Sequence, residues 1–157
     1  MKTIREIMRP SFLFSVPKAA LVAHAVRAMA HHDVGIVAVV DGGELVGVFS
    51  ERDVVRRIVD HGLDPLTTHV SDVMTTHVVY GDANETCQAV MRRMDEANIR
   101  HLPIMSGGRV VSMLSIRDLM RAQIADAGEE LDHLRSYLYQ VPTGPATPQI
   151  GNPGAKP

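Results

Sequence analysis

Asp41-Gly42-Gly43-Glu44-Leu45-Val46-Gly47-Val48-Phe49-Ser50-Glu51-Arg52-Asp53 is answered sixty-five positions later by Ser106-Gly107-Gly108-Arg109-Val110-Val111-Ser112-Met113-Leu114-Ser115-Ile116-Arg117-Asp118. Each stretch runs from a Gly-Gly turn through a short apolar run to Ser-x-Arg-Asp, and then into a new apolar segment. A repeat at fixed spacing decides the architecture before any local propensity does. The period is too long for a solenoid, and only two copies are present. Two copies of a unit too small to bury its own apolar face imply an intramolecular pair with a cleft between the halves.

The echo extends beyond the quoted stretches. Val34–Val40 matches Ile99–Met105, and Met29 matches Met94, at the same spacing. Further upstream the spacing becomes 66, where Thr3-Ile4-Arg5-Glu6-Ile7-Met8 matches His69-Val70-Ser71-Asp72-Val73-Met74. One residue was therefore gained or lost ahead of the first long helix. A surface loop tolerates such a change, whereas a strand would turn every side chain to the wrong face.

Hydrophobic periodicity places α and β in alternation. Leu21, Val22, Ala25, Val26 and Met29 have helical spacing within 19–31. Val34–Val40 is a continuous β-branched run of the buried-strand type. Gly42-Gly43 supplies the positive φ of a hairpin turn, and 45–49 is the returning strand. Ser50 caps a helix expected to run to about His61 and to end before Gly62 and Pro65. The second half predicts a helix over 85–97, strands over 99–105 and 110–114, and a helix from Ser115. Extended lead-ins cover 12–16 and 77–80. The last helix is expected to continue, with Gly128 as a candidate break, through an apolar stripe at Leu131, Leu134 and Leu138. The fold class is thus α/β (α+β): two α-β-β-α repeats with pseudo-two-fold symmetry, small sheets packed against helices. The first repeat spans 1–62, a linker 63–69, the second repeat 70–125 and a C-terminal helix 126–140. The segment 141–157 holds five Pro and three Gly in 17 residues and is expected to be disordered.

Composition narrows the function classes. The chain has 157 residues, no Trp and 4% aromatics, so its core is aliphatic and draws on nine Met. A formal net charge of −2 offers no basic footprint for nucleic acid or an anionic membrane surface. The longest apolar run is far too short to span a bilayer. A single cysteine, Cys87, permits no internal disulfide and suits a reducing compartment. With no signal-peptide pattern at the N-terminus, a cytoplasmic location is expected. The eight His form no His-x-x-x-His pair, and there is no Cys-x-x-Cys, so no metal site is expected. Neither a catalytic triad nor a Walker or Rossmann loop is readable, which favours a binding protein over an enzyme.

Several of these features together resemble the CBS domain, and the chain resembles a stand-alone CBS pair, or Bateman module. The matching residues are Ile7-Met8 and Val73-Met74, Asn98-Ile99-Arg100-His101-Leu102-Pro103-Ile104, the Gly-Gly turns, both Ser-x-Arg-Asp segments, and the linker Arg56-Arg57-Ile58-Val59-Asp60-His61-Gly62. The resemblance covers roughly 1–125. It implies clefts that bind adenine nucleotides or adenosyl compounds, and pairing of modules into a flat dimer.

The chemistry of the repeated motif can be read beside that resemblance. A Ser followed three residues later by Asp makes a capping box, with the Asp at the positive end of a helix. A carboxylate there also suits the vicinal diol of a ribose, and the helix start beside it favours phosphate. Ser50, Asp53, Ser115 and Asp118 are the candidate ribose residues, and in the family the acidic residue at this position binds ribose. Arg100-His101 stands where the first repeat has Gly35-Ile36, so this pair is the candidate phosphate ligand, joined by Arg52 and Arg117. Aliphatic walls for the base are expected from Val37 and Ala38, from Leu102 and Pro103, and from the lead-in residues Val16 and Val79. The expected ligand is AMP or ATP, with NAD or S-adenosylmethionine as relatives; no cofactor is required.

Two functions fit this reading. In the first, a regulatory module binds an adenine nucleotide, changes the angle between its halves and is read by an unidentified effector protein. In the second, a scaffold dimerises and binds a protein without nucleotide. In both, an apolar helical surface including Met91, Met94, Met120 and Ile124 is expected to pair with a second copy.

Overall fold

The computed structural model describes residues 2–8 and 13–139, with side chains to Ser136. The Pro- and Gly-rich segment 141–157, Phe12 of the first lead-in and the side chain of Leu138 lie outside the described residues.

The first repeat contains β1 (Ser15–Pro17), α2 (Val22–His32), β2 (Ile36–Asp41), β3 (Glu44–Ser50) and α3 (Glu51–Asp53), which follow a short helix α1 (Ile4–Ile7). The second contains β4 (Gly81–Asp82), α5 (Cys87–Glu96), β5 (His101–Ser106), β6 (Arg109–Ser115) and α6 (Ile116–Tyr139), after a short helix α4 (Val70–Val73). Two three-stranded sheets result, ordered β1-β2-β3 and β4-β5-β6. In each sheet the lead-in strand pairs parallel and the hairpin antiparallel. The hairpins turn on left-handed glycines, with φ of 57° and 88° at Gly42-Gly43 and 58° and 78° at Gly107-Gly108. The repeat reaches the finest details. β-Bulges fall between Val39 and Val40 and between Ile104 and Met105, and the left-handed residues that follow α2 and α5 are Asp33 and Asn98.

Strand register locates the one-residue difference between the halves. Val16 pairs with Val39 and Gly81 with Ile104, so Val16 is the counterpart of Gly81. Seven residues separate Met8 from Val16 and six separate Met74 from Gly81; the extra residue sits in the first lead-in. A Cβ at Gly81 would stand 2.9 Å from Leu102 Cδ2 and 3.2 Å from Ile104 Cδ1, so a side chain at this position would make those neighbours shift.

Sequence repeats and packing units do not coincide. Ile4 and the partly buried Ile7 and Met8 belong to the second repeat's core, with Ala83, Cys87, Val90, Met94, Leu102, Ile104, Leu114 and Leu119. Val70, Val73 and Met74 belong to the first, with Val16, Val22, Ala25, Met29, Val37, Val39, Phe49 and Ile58. Each repeat therefore lends its lead-in helix to the other. The backbone seals both exchanges in the same way. Ile4 N–H donates to Glu85 O at 2.9 Å and Cys87 N–H to Lys2 O at 3.1 Å; Val70 N–H donates to Ala20 O at 2.8 Å and Val22 N–H to Thr68 O at 2.9 Å. Arg5 fastens α1 through Asn84 Oδ1 at 3.1 Å and Ser106 Oγ at 3.2 Å.

Three local expectations change. The helix after Ser50 keeps α geometry only to Asp53 and then widens into π turns at Val54–Val59, with Asp60 N–H donating to Val55 O at 3.0 Å. Four β-branched residues in that stretch of six crowd a normal helix. The last helix runs through Gly128 without a break, and Leu131 and Leu134 on it are exposed. Met94 is fully buried and Met91 packs against the second core, so neither is a free surface; Met120 and Ile124 are exposed.

Truncating Ile4 tests the exchange. Ile4→Ala should destabilise the protein by about 2–5 kcal/mol, the cost of a buried cavity, although residue 4 precedes every other element. Denaturant unfolding measures it. A loss no larger than that of an exposed substitution would mean that α1 does not complete the second core.

Candidate ligand-binding clefts

The repeated Ser-x-Arg-Asp motif folds as a capping box at both sites. Ser50 donates from its N–H and Oγ to Asp53 Oδ2 at 2.9 and 2.8 Å, and Asp53 N–H returns a bond to Ser50 Oγ at 3.4 Å. In the second repeat the same three distances are 3.0, 2.6 and 3.3 Å for Ser115 and Asp118. Each carboxylate is thus oriented through one oxygen. The other oxygen differs between sites: Asp53 Oδ1 lies 3.4 Å from Arg57 Nε, whereas Ala122 occupies the position equivalent to Arg57. Arg57 also donates to Val73 O at 2.5 Å and Thr75 Oγ1 at 3.1 Å, tying the second lead-in to the first repeat's closing helix.

Two open clefts flank the pseudo-two-fold axis. The first, of about 310 Å³, is lined by Ser50, Arg52, Asp53, Arg56 and Arg57 together with His77, Val79, Ile99 and Pro103. The second, of about 670 Å³, is lined by Ser115, Arg117 and Asp118 together with Phe14, Met29, Asp33 and Val34. Gly35, Ile36, Glu51, Arg100 and His101 line both. The starts of β2 and β5 meet here: a Cβ on Gly35 would be 3.1 Å from Glu51 Oε2 and 3.5 Å from the His101 ring. Arg100-His101 therefore does not single out the cleft of Asp118.

The remaining expected site residues divide sharply. Ser50, Asp53, Arg52, Val79 and Pro103 line the first cleft, and Ser115, Asp118 and Arg117 the second. Val16, Val37, Ala38 and Leu102 are buried and line neither; Val16 and Val37 belong to the first aliphatic core and Leu102 to the second. Several lining residues were not foreseen, Glu51, Asp33 and Ile99 among them. Arg56 and Arg57 follow Asp53 by three and four residues, a helical spacing that was readable as one face. His77 had no distinguishing signal. Phe14 is the counterpart of Val79 at the 65-residue offset, and its place in the first lead-in was the available signal.

His101 is electrostatically the most perturbed group here. Burial pushes its pKa below the usual histidine value, Arg100 and Arg117 push the same way, and Asp118 and Glu51 oppose them. At neutral pH it offers a neutral ring nitrogen to either cleft. Among the described residues, no group of three or more His, Cys, Asp or Glu is placed to hold a metal ion. None of the described helices is long and apolar enough to cross a membrane.

Comparison with known proteins accords with this geometry. The CBS domain model matches the chain twice, over residues 4–60 and 70–125. The chain belongs to the CBS-domain family. It is a tandem CBS pair, a regulatory module. The mitochondrial CBS domain-containing protein CBSX3 of Arabidopsis thaliana is 34% identical over 119 residues, 73% of this chain and 58% of that protein. This CBS pair thus spans little more than half of that relative's length. A solved structure of a protein with CBS domains from Burkholderia ambifaria superposes with a TM-score of 0.73 at 32% identity, covering 78% of this chain and 92% of that one. The CBS pair of protein MJ0100, in complex with 5′-methylthioadenosine and S-adenosyl-L-methionine, shares the fold at a TM-score of 0.69 and 20% identity, covering 77% and 98%.

The lowered pKa of His101 makes a stability test. A histidine harder to protonate when folded binds fewer protons than it does unfolded, so its contribution falls as pH drops below the unfolded value of about 6.5. His101→Gln should flatten the loss of stability between about pH 7 and 5. An unchanged slope in denaturant unfolding across that range would place the imidazole in solvent.

Proposed function

We propose that this CBS pair is a sensor of adenine nucleotides, with the first cleft as the nucleotide site. The observation that carries the reading is the convergence on that cleft of an oriented carboxylate, four arginines and an aliphatic slot. Asp53, held by Ser50 through one oxygen, accepts the ribose hydroxyls, since a carboxylate has room for several donors. Arg52, Arg56, Arg57 and Arg100 surround the phosphate position, with His77 and His101 beside them. Val79, Ile99 and Pro103 supply apolar faces for the base. The MJ0100 complex supports the reading only in showing that this fold accommodates adenosyl compounds. Residues from both repeats line the cleft, so occupancy bears on the angle between them, and an effector protein reads that angle.

The assembly proposed with it is a homodimer. Val55 and Val59 are 62% and 69% exposed, and their counterparts at the 65-residue offset, Met120 and Ile124, are 51% and 70% exposed. An i, i+4 pair of large apolar side chains left in water on each repeat's closing helix is a surface that burial against a second copy would stabilise. The same observation favours the alternative of a nucleotide-independent scaffold, and ligand binding separates the two.

Equilibrium dialysis with AMP, ATP, NAD and S-adenosylmethionine decides whether the module senses a ligand. Asp53→Ala should weaken AMP and ATP by about 1.5–3 kcal/mol, roughly ten- to a hundred-fold. The 2′-deoxy nucleotides should bind the wild type poorly and lose little more in the variant; that non-additivity separates contact from lost capping. Arg100→Ala should weaken AMP more than adenosine. If none of the four compounds binds, the scaffold reading stands. For assembly, sedimentation of the wild type should give a dimer at micromolar concentration and Val59→Asp a monomer; a monomeric wild type would remove the dimer.

A further inference from the structure

The helix α6 carries a periodicity that neither core uses. Met120, Ile124, Ala127, Leu131, Leu134 and Leu138 follow one another at spacings of four, three, four, three and four. That alternation is the a and d seam of a coiled coil, with Ile124, Leu131 and Leu138 at a and Met120, Ala127 and Leu134 at d. Between 121 and 136 every large apolar residue, namely Ile124, Leu131 and Leu134, falls on the seam, while Asp126, Glu129, Asp132, His133 and Ser136 fall off it. Ile124, Leu131 and Leu134 are 70%, 57% and 58% exposed and belong to neither core.

Most helical stability comes from packing of an apolar face and not from propensity, and Gly128 lowers the propensity here. The segment 141–157 is a poor cover for the seam, because Val141 and Ile150 are its only large apolar residues. A second copy of α6 fits it, and the flanking charges set the direction. Glu130 stands at g and Arg135 at e, five residues later. A parallel pair sets each g residue against the partner helix's e residue five places on, so two Glu130–Arg135 pairs form. An antiparallel pair sets g against g and e against e, which brings like charges together. Within one helix Arg135 lies 3.8 Å from Asp132, both side chains being exposed, a contact it exchanges at little cost.

We propose that residues 120–138 of two copies wind into a parallel, in-register, two-stranded coiled coil, locked by Glu130 of each copy against Arg135 of the other. The seam starts at Met120 and Ile124, the apolar pair already assigned to the dimer, and gives that dimer a direction: its two-fold axis runs along the stem. The inference deepens the homodimer reading and rests on it. Fewer than three heptads are too short to hold a pair alone, so contact through Val55 and Val59 supplies the effective concentration.

Disulfide trapping of the full chain tests the stem. Ala127→Cys and Leu134→Cys, made singly, should both give a covalent dimer on mild oxidation, since a parallel in-register pair sets each d residue against itself. Ser136→Cys, off the seam, and the wild type, whose Cys87 is buried, should not. An antiparallel pair can set at most one of 127 and 134 against itself. In the Ala127→Cys background, Glu130→Arg and Arg135→Glu should each slow trapping about three-fold or more. An equimolar mixture of those two variants should recover it, because only the mixed pair is complementary. If the wild type sediments as a dimer, trapping at neither position, at one alone, or equally at 136 overturns the coiled coil and leaves the homodimer standing. A mixture that traps no faster than its components overturns it likewise. A monomeric wild type overturns both.

Discussion

Everything in this chain depends on the crosswise exchange of two short helices. Ile4 is wholly buried among residues of the second repeat, and Val70 among residues of the first. Neither repeat, as delimited by its sequence, contains its own complete core. A unit of some sixty residues buries a small fraction of its surface and is marginal alone. Exchanging lead-ins lets each half cover the other's open end, and it makes the pair cooperative. The backbone exchange at α1 repeats at α4, donor for donor, so the pseudo-two-fold axis follows from covalent repetition and not from a chance of packing.

That axis also explains where ligand chemistry gathers. Crossing the lead-ins brings the starts of β2 and β5 face to face, so Gly35 and Ile36 meet Arg100 and His101. The absence of a side chain at Gly35 leaves space that Glu51 and His101 approach. On either side of this shared wall the capping aspartates stand at the helix starts, each oriented by its serine. The wall belongs to both clefts, and a charge recruited from one side is withdrawn from the other. Identical halves would have made two identical sites. Divergence at a few positions, Arg57 against Ala122 and Asn98 against Asp33, gives the clefts different electrostatics within one scaffold.

Much of this was legible in the residues, and the remainder was hidden for definable reasons. The Gly-Gly hairpins, the capping serines and the buried strands are local features, set by positive φ, orphan N–H groups and β-branched runs. The clefts' aspartates and their arginine neighbours followed from the same motif. The crossing of the lead-ins did not, because Ile4 and Val70 read equally well as core residues of either half. Val16 was named with Val79 as a lead-in wall for the base; strand register makes Val16 the counterpart of Gly81 and buries it, while Phe14, 65 positions before Val79, lines the second cleft. Val37, Ala38 and Leu102 lie close in sequence to cleft residues (Ile36, His101 and Pro103) along short, largely buried strands, and periodicity cannot tell which positions open on a cavity. Met94 was read as surface because aliphatic helices carry no sign of which apolar stripe is covered. The π turns at Val54–Val59 arise from crowding that helix propensity does not weigh.

The central claim is that one ligand in the first cleft touches both repeats at once. Hydrogen–deuterium exchange with and without saturating AMP measures this directly. The account predicts slowed exchange in three separated segments, 50–57, 75–79 and 98–103, which all line the first cleft. Protection confined to one repeat, or to the outer faces of the closing helices around Val55 and Met120, would contradict it.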